Sequence, residues 1–197
     1  SLNYDAAAQV AHSISTHKIQ NEYDFFTAVD DRAPGDNDGA GHLGTTEFNS
    51  STLYRYATVN VAELNGHLGK DTPMAVRGFA QAFLLSMPTG KQNSFANRTL
   101  PDAVYVTVRR DQPINCAGAF EKPVIAGSNG YLAESEEQFV SYVKQVYQNF
   151  ANEPEAAFGI GTAEAFKEIA ETMPLQQMLD KLEDRVAQYI TGDGESI

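Results

Sequence analysis

DFFTAVDDRAPGDNDGAGHLGTTEF, residues 24 to 48, is the stretch on which the reading of this chain turns. It holds an aromatic pair, a run of acids, a Gly/Pro-rich tip and a His-Leu pair set between glycines. Neither a core element nor an ordinary turn explains that mixture. On its N-terminal side, AAAQVAHSIST (Ala6 to Thr16) suits one helix face through Ala7, Val10, Ala11 and Ile14. It equally suits a strand on which Ala8, Val10, His12 and Ile14 alternate, and the strand reading is taken here. On the C-terminal side, TLYRYATVNV (Thr52 to Val61) is plainer. Leu53, Ala57, Val59 and Val61 share one side with Arg55, while Tyr54, Tyr56, Thr58 and Asn60 share the other. Between two strands the opening stretch becomes an excursion of roughly 35 residues, and loops of that length are functional or disordered.

The remainder of the chain supplies a core. Thr72-Pro73 places a capping residue before a first-turn proline, and Val76, Phe79, Ala80, Phe83, Leu84 and Met87 follow at helical spacing. Ser86 to Pro101 (SMPTGKQNSFANRTLP) reads as a polar, basic loop. From Ala103 to Arg109, Val104, Val106 and Val108 alternate with Tyr105, Thr107 and Arg109 as in a strand. Ser135 and Gln138 have the spacing of a capping box for a helix carrying Phe139, Val143, Val146, Tyr147 and Phe150. Two further helices are expected over Thr162 to Thr172 and Pro174 to Ile190, the second with Leu175, Met178, Leu179, Leu182, Val186 and Tyr189 on one stripe. There is no internal repeat or linker. The expected class is α+β, with a strand-helix-strand portion like half of a ferredoxin-like sheet.

With 197 residues and 42% hydrophobic content the chain fits one domain with a real core. No apolar run approaches the ~20 residues of a membrane span, and no basic-then-apolar leader is present. A single cysteine, Cys116, agrees with a cytoplasmic setting, and its small, apolar neighbours suit a buried, inert thiol. The net charge of -12 argues against a general nucleic-acid binder, because neutralising phosphate requires clustered Lys and Arg. The chain begins at Ser1, which suggests a fragment or a processed product.

Sites of ordinary chemistry are poorly supported. His12 and His17, five apart, do not meet on either a strand or a helix, so a shared metal is not expected. Asp36-Asn37-Asp38-Gly39 starts like a calcium loop but lacks the acid at its twelfth position, and turn chemistry accounts for it. Gly159-Ile-Gly161 is too short for a dinucleotide fingerprint. Asp30, Asp31 and His42 would be the acid-base groups of a small hydrolase, yet nothing brings a nucleophile to them. Tyr54 and Tyr56 could stack bases from a sheet face, or equally pack against a helix.

Three segments together carry a more specific signal: VAHSISTH running into DFFTAVDD, then HLGTTEF followed by YRYATVNVAEL, then GKQNSFANRTLPDAV and AFEKPV. In order and spacing, from about Ala7 to Leu132, they resemble the CasC-type backbone subunit of the type I-E CRISPR effector complex, Cascade. The resemblance implies a modified ferredoxin-like or RNA-recognition-motif-like palm, present here only in part, and a thumb formed by a long hairpin. The chain would be the C-terminal half or so of the family's proteins, a single partial domain with palm at 1–15 and 47–197 and thumb at about 16–46.

The resemblance also implies a function. Family members polymerise along CRISPR guide RNA in antiviral defence, and each thumb displaces one nucleotide while the others stay open to pair with target DNA. Partners would be the guide RNA, neighbouring copies of the subunit, other Cascade subunits and, through the guide, target DNA. No catalysis and no cofactor are implied. On the thumb, Phe25, Phe26, Val29 and Leu43 would wedge between bases, with His42 beside them and Gly39, Gly41 and Gly44 permitting close approach. Asp30, Asp31, Asp36 and Asp38 would face solvent or an adjacent protomer. Lys91, Gln92, Asn93 and Arg98 are the best candidates for gripping phosphate. The competing expectation is a protein-interaction domain whose hairpin docks on a partner without touching RNA.

Overall fold

The computed structural model describes residues 5–28 and 42–192. Expectations for Val29, Asp30, Asp31, Asp36, Asp38, Gly39 and Gly41 lie outside the described residues, and for His42 and Leu43 only the backbone is described.

The strand reading of the N-terminal stretch holds, in interrupted form. Strands β1 (Ala8–Val10), β2 (Ile14–Ser15) and β3 (Glu22–Ala28) pair antiparallel with β6 (Ala57–Val59), β5 (Leu53–Tyr54) and β4 (His42–Phe48) respectively. The six short strands are thus two limbs of one long hairpin. Its register slips twice. Between Val10 and Ile14 lie three residues against two between Tyr54 and Ala57, the count of a β-bulge. Between Ser15 and Glu22 lie six against four between Phe48 and Leu53.

The return limb stops short of the expected Val61. Asn60 leaves the strand and its side chain accepts from Glu63 N–H at 3.1 Å, capping a helix absent from the sequence reading, α1 (Val61–Leu68). The long helix α2 (Thr72–Leu85) follows. Its N-cap is Asp71 rather than the expected Thr72, which is the first helical residue, fully buried, with its hydroxyl on Asn65. A one-turn helix, α3 (Gln92–Phe95), interrupts the basic loop.

Strand β7 (Val104–Val108) alternates as expected. Val104, Val106 and Val108 turn toward clusters built by α2 and α5 (Leu175–Thr191), through Val76, Met178, Leu182 and Val186. Tyr105 turns the other way, toward Phe139 and Val140 of α4 (Leu132–Asn149). Val59 and Val61 join Val106 and Val108 on one cluster, so the base of the long hairpin and β7 adjoin the same helices without being ladder neighbours. The fold is α+β, as expected.

Two further local expectations fail. Ser135 does not cap α4: that helix starts at Leu132 after Tyr131, and the Ser135 hydroxyl donates to the Tyr131 carbonyl at 2.6 Å while hydrogen-bonding with the Thr16 hydroxyl at 2.9 Å. The helix expected over Thr162 to Thr172 does not form. The segment is a strand β8 (Ala156–Ile160), antiparallel to β7, then a 3-10 turn (Glu164–Glu168), then a two-residue strand β9 (Glu171–Thr172), parallel to β8. Phe166, fully buried, decides this. Its ring lies on Gly159 and Gly161, where an added Cβ would come within 2.6 Å of it. The buried carboxylate of Glu136 then takes the place of a helix cap. It accepts from Thr162 N–H at 2.9 Å, the Thr162 hydroxyl at 2.8 Å and Ala163 N–H at 2.8 Å.

Candidate nucleic-acid interface

The hairpin β3–β4 is a seven-pair ribbon whose alternation sorts its side chains onto two faces. Glu22, Asp24 and Phe26 pair with Phe48, Thr46 and Gly44 on one face, and Tyr23 and Phe25 pair with Glu47 and Thr45 on the other. Phe25 and Phe26 therefore point to opposite sides and cannot form one wedge. Both are open to water, at 67% and 52%, as is Tyr23 at 56%. Three aromatic rings on a two-stranded ribbon are apolar area that the fold itself does not bury.

Leu43 and His42 stand opposite Thr27 and Ala28 in the ladder. Gly44 stands opposite Phe26, and the Phe26 ring occupies the space a Cβ there would need. The close approach that Gly44 permits is thus used first by the protein's own phenylalanine.

The basic loop is joined to the Phe26 face. Phe48 meets Phe95 of α3, ring centroids 5.6 Å apart. Lys91 and Ala96, on either side of the helical turn, both adopt left-handed backbone (φ 58° and 49°), which folds the loop tightly around that turn. Gln92 accepts from the Arg98 guanidinium at 3.2 Å, so Gln92, Arg98 and exposed Lys91 form one group at the base of the ribbon. The cations are legible along the chain, whereas Phe48 and Phe95, which connect the loop to the hairpin, are not. The only local signal for Phe95 was a lone aromatic in an otherwise polar loop.

Other sequence candidates are structural. The Tyr54 hydroxyl donates to Asn115 Oδ1 at 3.1 Å and accepts from Cys116 N–H at 3.0 Å, and its ring packs by Phe120 and Phe139. Burial drives its phenol well above the ordinary range, and its ring contacts are with the protein's own aromatics. Cys116 is buried and its thiol is pushed up to about 11 by that burial, as an inert thiol would be. Among the described residues no group of three or more His, Cys, Asp or Glu is arranged to hold a metal ion. None of the described helices is long and apolar enough to cross a membrane.

Residues 1–186 match the family of CT1975-like proteins. The chain belongs to that family. A comparison with curated proteins gave no match. Among solved structures, a chain of a "CRISPR RNA-guided surveillance complex" is 33% identical with a TM-score of 0.80, over 92% of this chain and 71% of its own length. A chain of a "CRISPR RNA-guided surveillance complex, pre-nicking" is also 33% identical, with a TM-score of 0.78 over 92% of this chain and 55% of its own. This CT1975-like chain is thus similar, in sequence and in fold, to subunits of CRISPR surveillance complexes, and it spans only part of their length.

Proposed function

We propose that this chain is the palm-and-thumb part of a CasC-type backbone subunit of a type I-E Cascade complex, a non-enzymatic scaffold for CRISPR guide RNA. In this reading copies of the subunit line the guide in the cytoplasm, and β3–β4 is the thumb that displaces one nucleotide per subunit. The remaining nucleotides are left to pair with target DNA, and the other Cascade subunits complete the assembly.

The observation that carries the proposal is the exposed aromatic ribbon with a basic loop seated at its base. A strongly acidic protein binds RNA poorly by charge alone, but stacking of bases on aromatic rings contributes ~1–3 kcal/mol per base without net positive charge. Lys91 and Arg98 then need to hold only the phosphates next to that contact. Phe26, Phe48 and Phe95 line one side of the ribbon while Phe25 and Tyr23 line the other, which suits a hairpin inserted between successive nucleotides.

A second reading has its own support: Glu22, Asp24 and Glu47 are interleaved with the aromatics, as on a protein-docking ribbon. Purifying the full-length subunit and sizing any RNA that accompanies it separates the two. The RNA reading expects bound RNA with protection from nuclease at regular intervals. An oligomer free of RNA would favour docking instead, and metal-dependent turnover of RNA would overturn the non-enzymatic assignment.

A further inference from the structure

The hairpin leaves the body at the second slip in its register, where six residues between Ser15 and Glu22 face four between Phe48 and Leu53. That break is the most buried point of the two limbs among the described residues: Thr16 is 3% exposed and His17 9%. Thr52, on the return limb, closes on it with both backbone groups. Its carbonyl accepts from Thr16 N–H at 2.9 Å, and its N–H donates to His17 Nε2 at 3.1 Å. An imidazole nitrogen stands where the ladder would supply a carbonyl. Because Nε2 accepts, the ring proton sits on Nδ1, which donates to the Lys18 carbonyl at 2.9 Å.

The same two residues are tied to the body. The His17 ring stacks on Tyr131, centroids 3.8 Å apart and planes 14° from parallel. The Thr16 carbonyl accepts from Val124 N–H and its hydroxyl shares a hydrogen bond with the Ser135 hydroxyl, both at 2.9 Å. Tyr131 is the N-cap residue of α4 and Ser135 lies in its first turns. The break in the ladder is therefore clamped to the start of α4.

We propose that His17 is a positioning residue for the hairpin: with Thr16 it locks the root of β3–β4 onto α4 and so sets the direction in which Phe25 and Phe26 are presented. The lever is long. Seven residues at ~3.4 Å each make a ribbon of about 24 Å, so a 10° change at the root moves the far end by about 4 Å, enough to miss a base. The consequence for RNA rests on the function proposed above, whereas the lock itself does not.

The lock is tested by spin-label distances between Thr27→Cys, near the far end of β3, and Glu137→Cys on α4, with the buried Cys116 left in place. The unsubstituted root should give one narrow distribution. His17→Phe keeps the ring over Tyr131 and removes both nitrogens; it should broaden the distribution roughly twofold by freeing a local mode while helix content is retained. His17→Gln, which returns an acceptor toward Thr52 N–H, should restore much of the narrow width. If His17→Phe does not fold, Tyr131→Leu decides instead, with the same broadening expected. An unchanged width in the folded variants overturns the lock. In the full-length subunit bound to RNA, His17→Phe should blur the regular nuclease footprint. Broadening with an unaltered footprint would sink the link to RNA presentation, and a missing footprint before any substitution would sink the RNA reading while the distances still judge the lock.

Discussion

Replacing Phe26 by Ala separates a contact made for RNA from one made for the fold. Phe26 is about half covered, mostly by its own hairpin at Gly44, so it realises roughly half of the 1.5–3 kcal/mol that full burial of a phenylalanine contributes. The cost to stability should be about 1 kcal/mol, and less for Phe25→Ala, whose ring is more exposed. If a base stacks on the ring, RNA binding should lose ~1–3 kcal/mol, or roughly 5- to 150-fold in affinity. Denaturant unfolding and filter binding on the same full-length preparations measure the two quantities side by side. A small shift in unfolding midpoint is expected with a large loss of affinity and of RNA-dependent assembly, and Leu43→Ala should follow the same pattern. A variant that loses several kcal/mol of stability while assembling normally on RNA would show that the ring belongs to the core and that the hairpin is not the thumb.

Lys91→Ala in the full-length subunit should weaken RNA binding evenly across sequences and reduce the slope of log K against log salt by about 0.7, the value of one single-strand phosphate contact. An unchanged slope would return Lys91 to the solvated surface. Phe166→Ala should lose roughly 3–5 kcal/mol, because it empties the space between α4, β8 and the following turn; calorimetric melting would refute the packing account if the midpoint barely moved. Cys116 titrates from 9.0 when unperturbed to about 11 in the fold. The fold thus favours its neutral thiol, so its contribution to stability is complete below about pH 9 and is lost as the pH rises through about 11. Urea melts of the parent and of Cys116→Ser across that window should differ in slope, and a thiol reagent should label the native protein far more slowly than the unfolded chain. Equal rates would contradict the burial.

Several parts of this molecule are legible along the chain because a local pattern suffices to specify them. The alternating valines of β7 and most of the apolar stripes of α2, α4 and α5 declare faces that must leave water and meet core clusters, whereas Phe150, expected inward on the α4 stripe, is 89% exposed just past the end of that helix. The aromatic and acidic stretch at residues 24–48 declared an element that is not core, and its N- and C-terminal portions are the exposed ribbon. What the sequence alone could not decide depends on partners far away along the chain. AAFGI is a strand because β7 lies beside it and because Gly159, with Gly161 just beyond the strand, admits Phe166; along the chain the same two glycines merely precede an expected helix. Ser135 had the spacing of a cap, but Thr16, 119 residues away, competes for its hydroxyl. Phe95 is marked locally only as a lone aromatic in a polar loop, and His17 not at all. One becomes part of the candidate interface by meeting Phe48, and the other becomes the root of the hairpin by meeting Thr52 and Tyr131. Periodicity records which side of an element avoids water, whereas these contacts arise only when the folded chain brings distant segments within hydrogen-bonding or stacking distance.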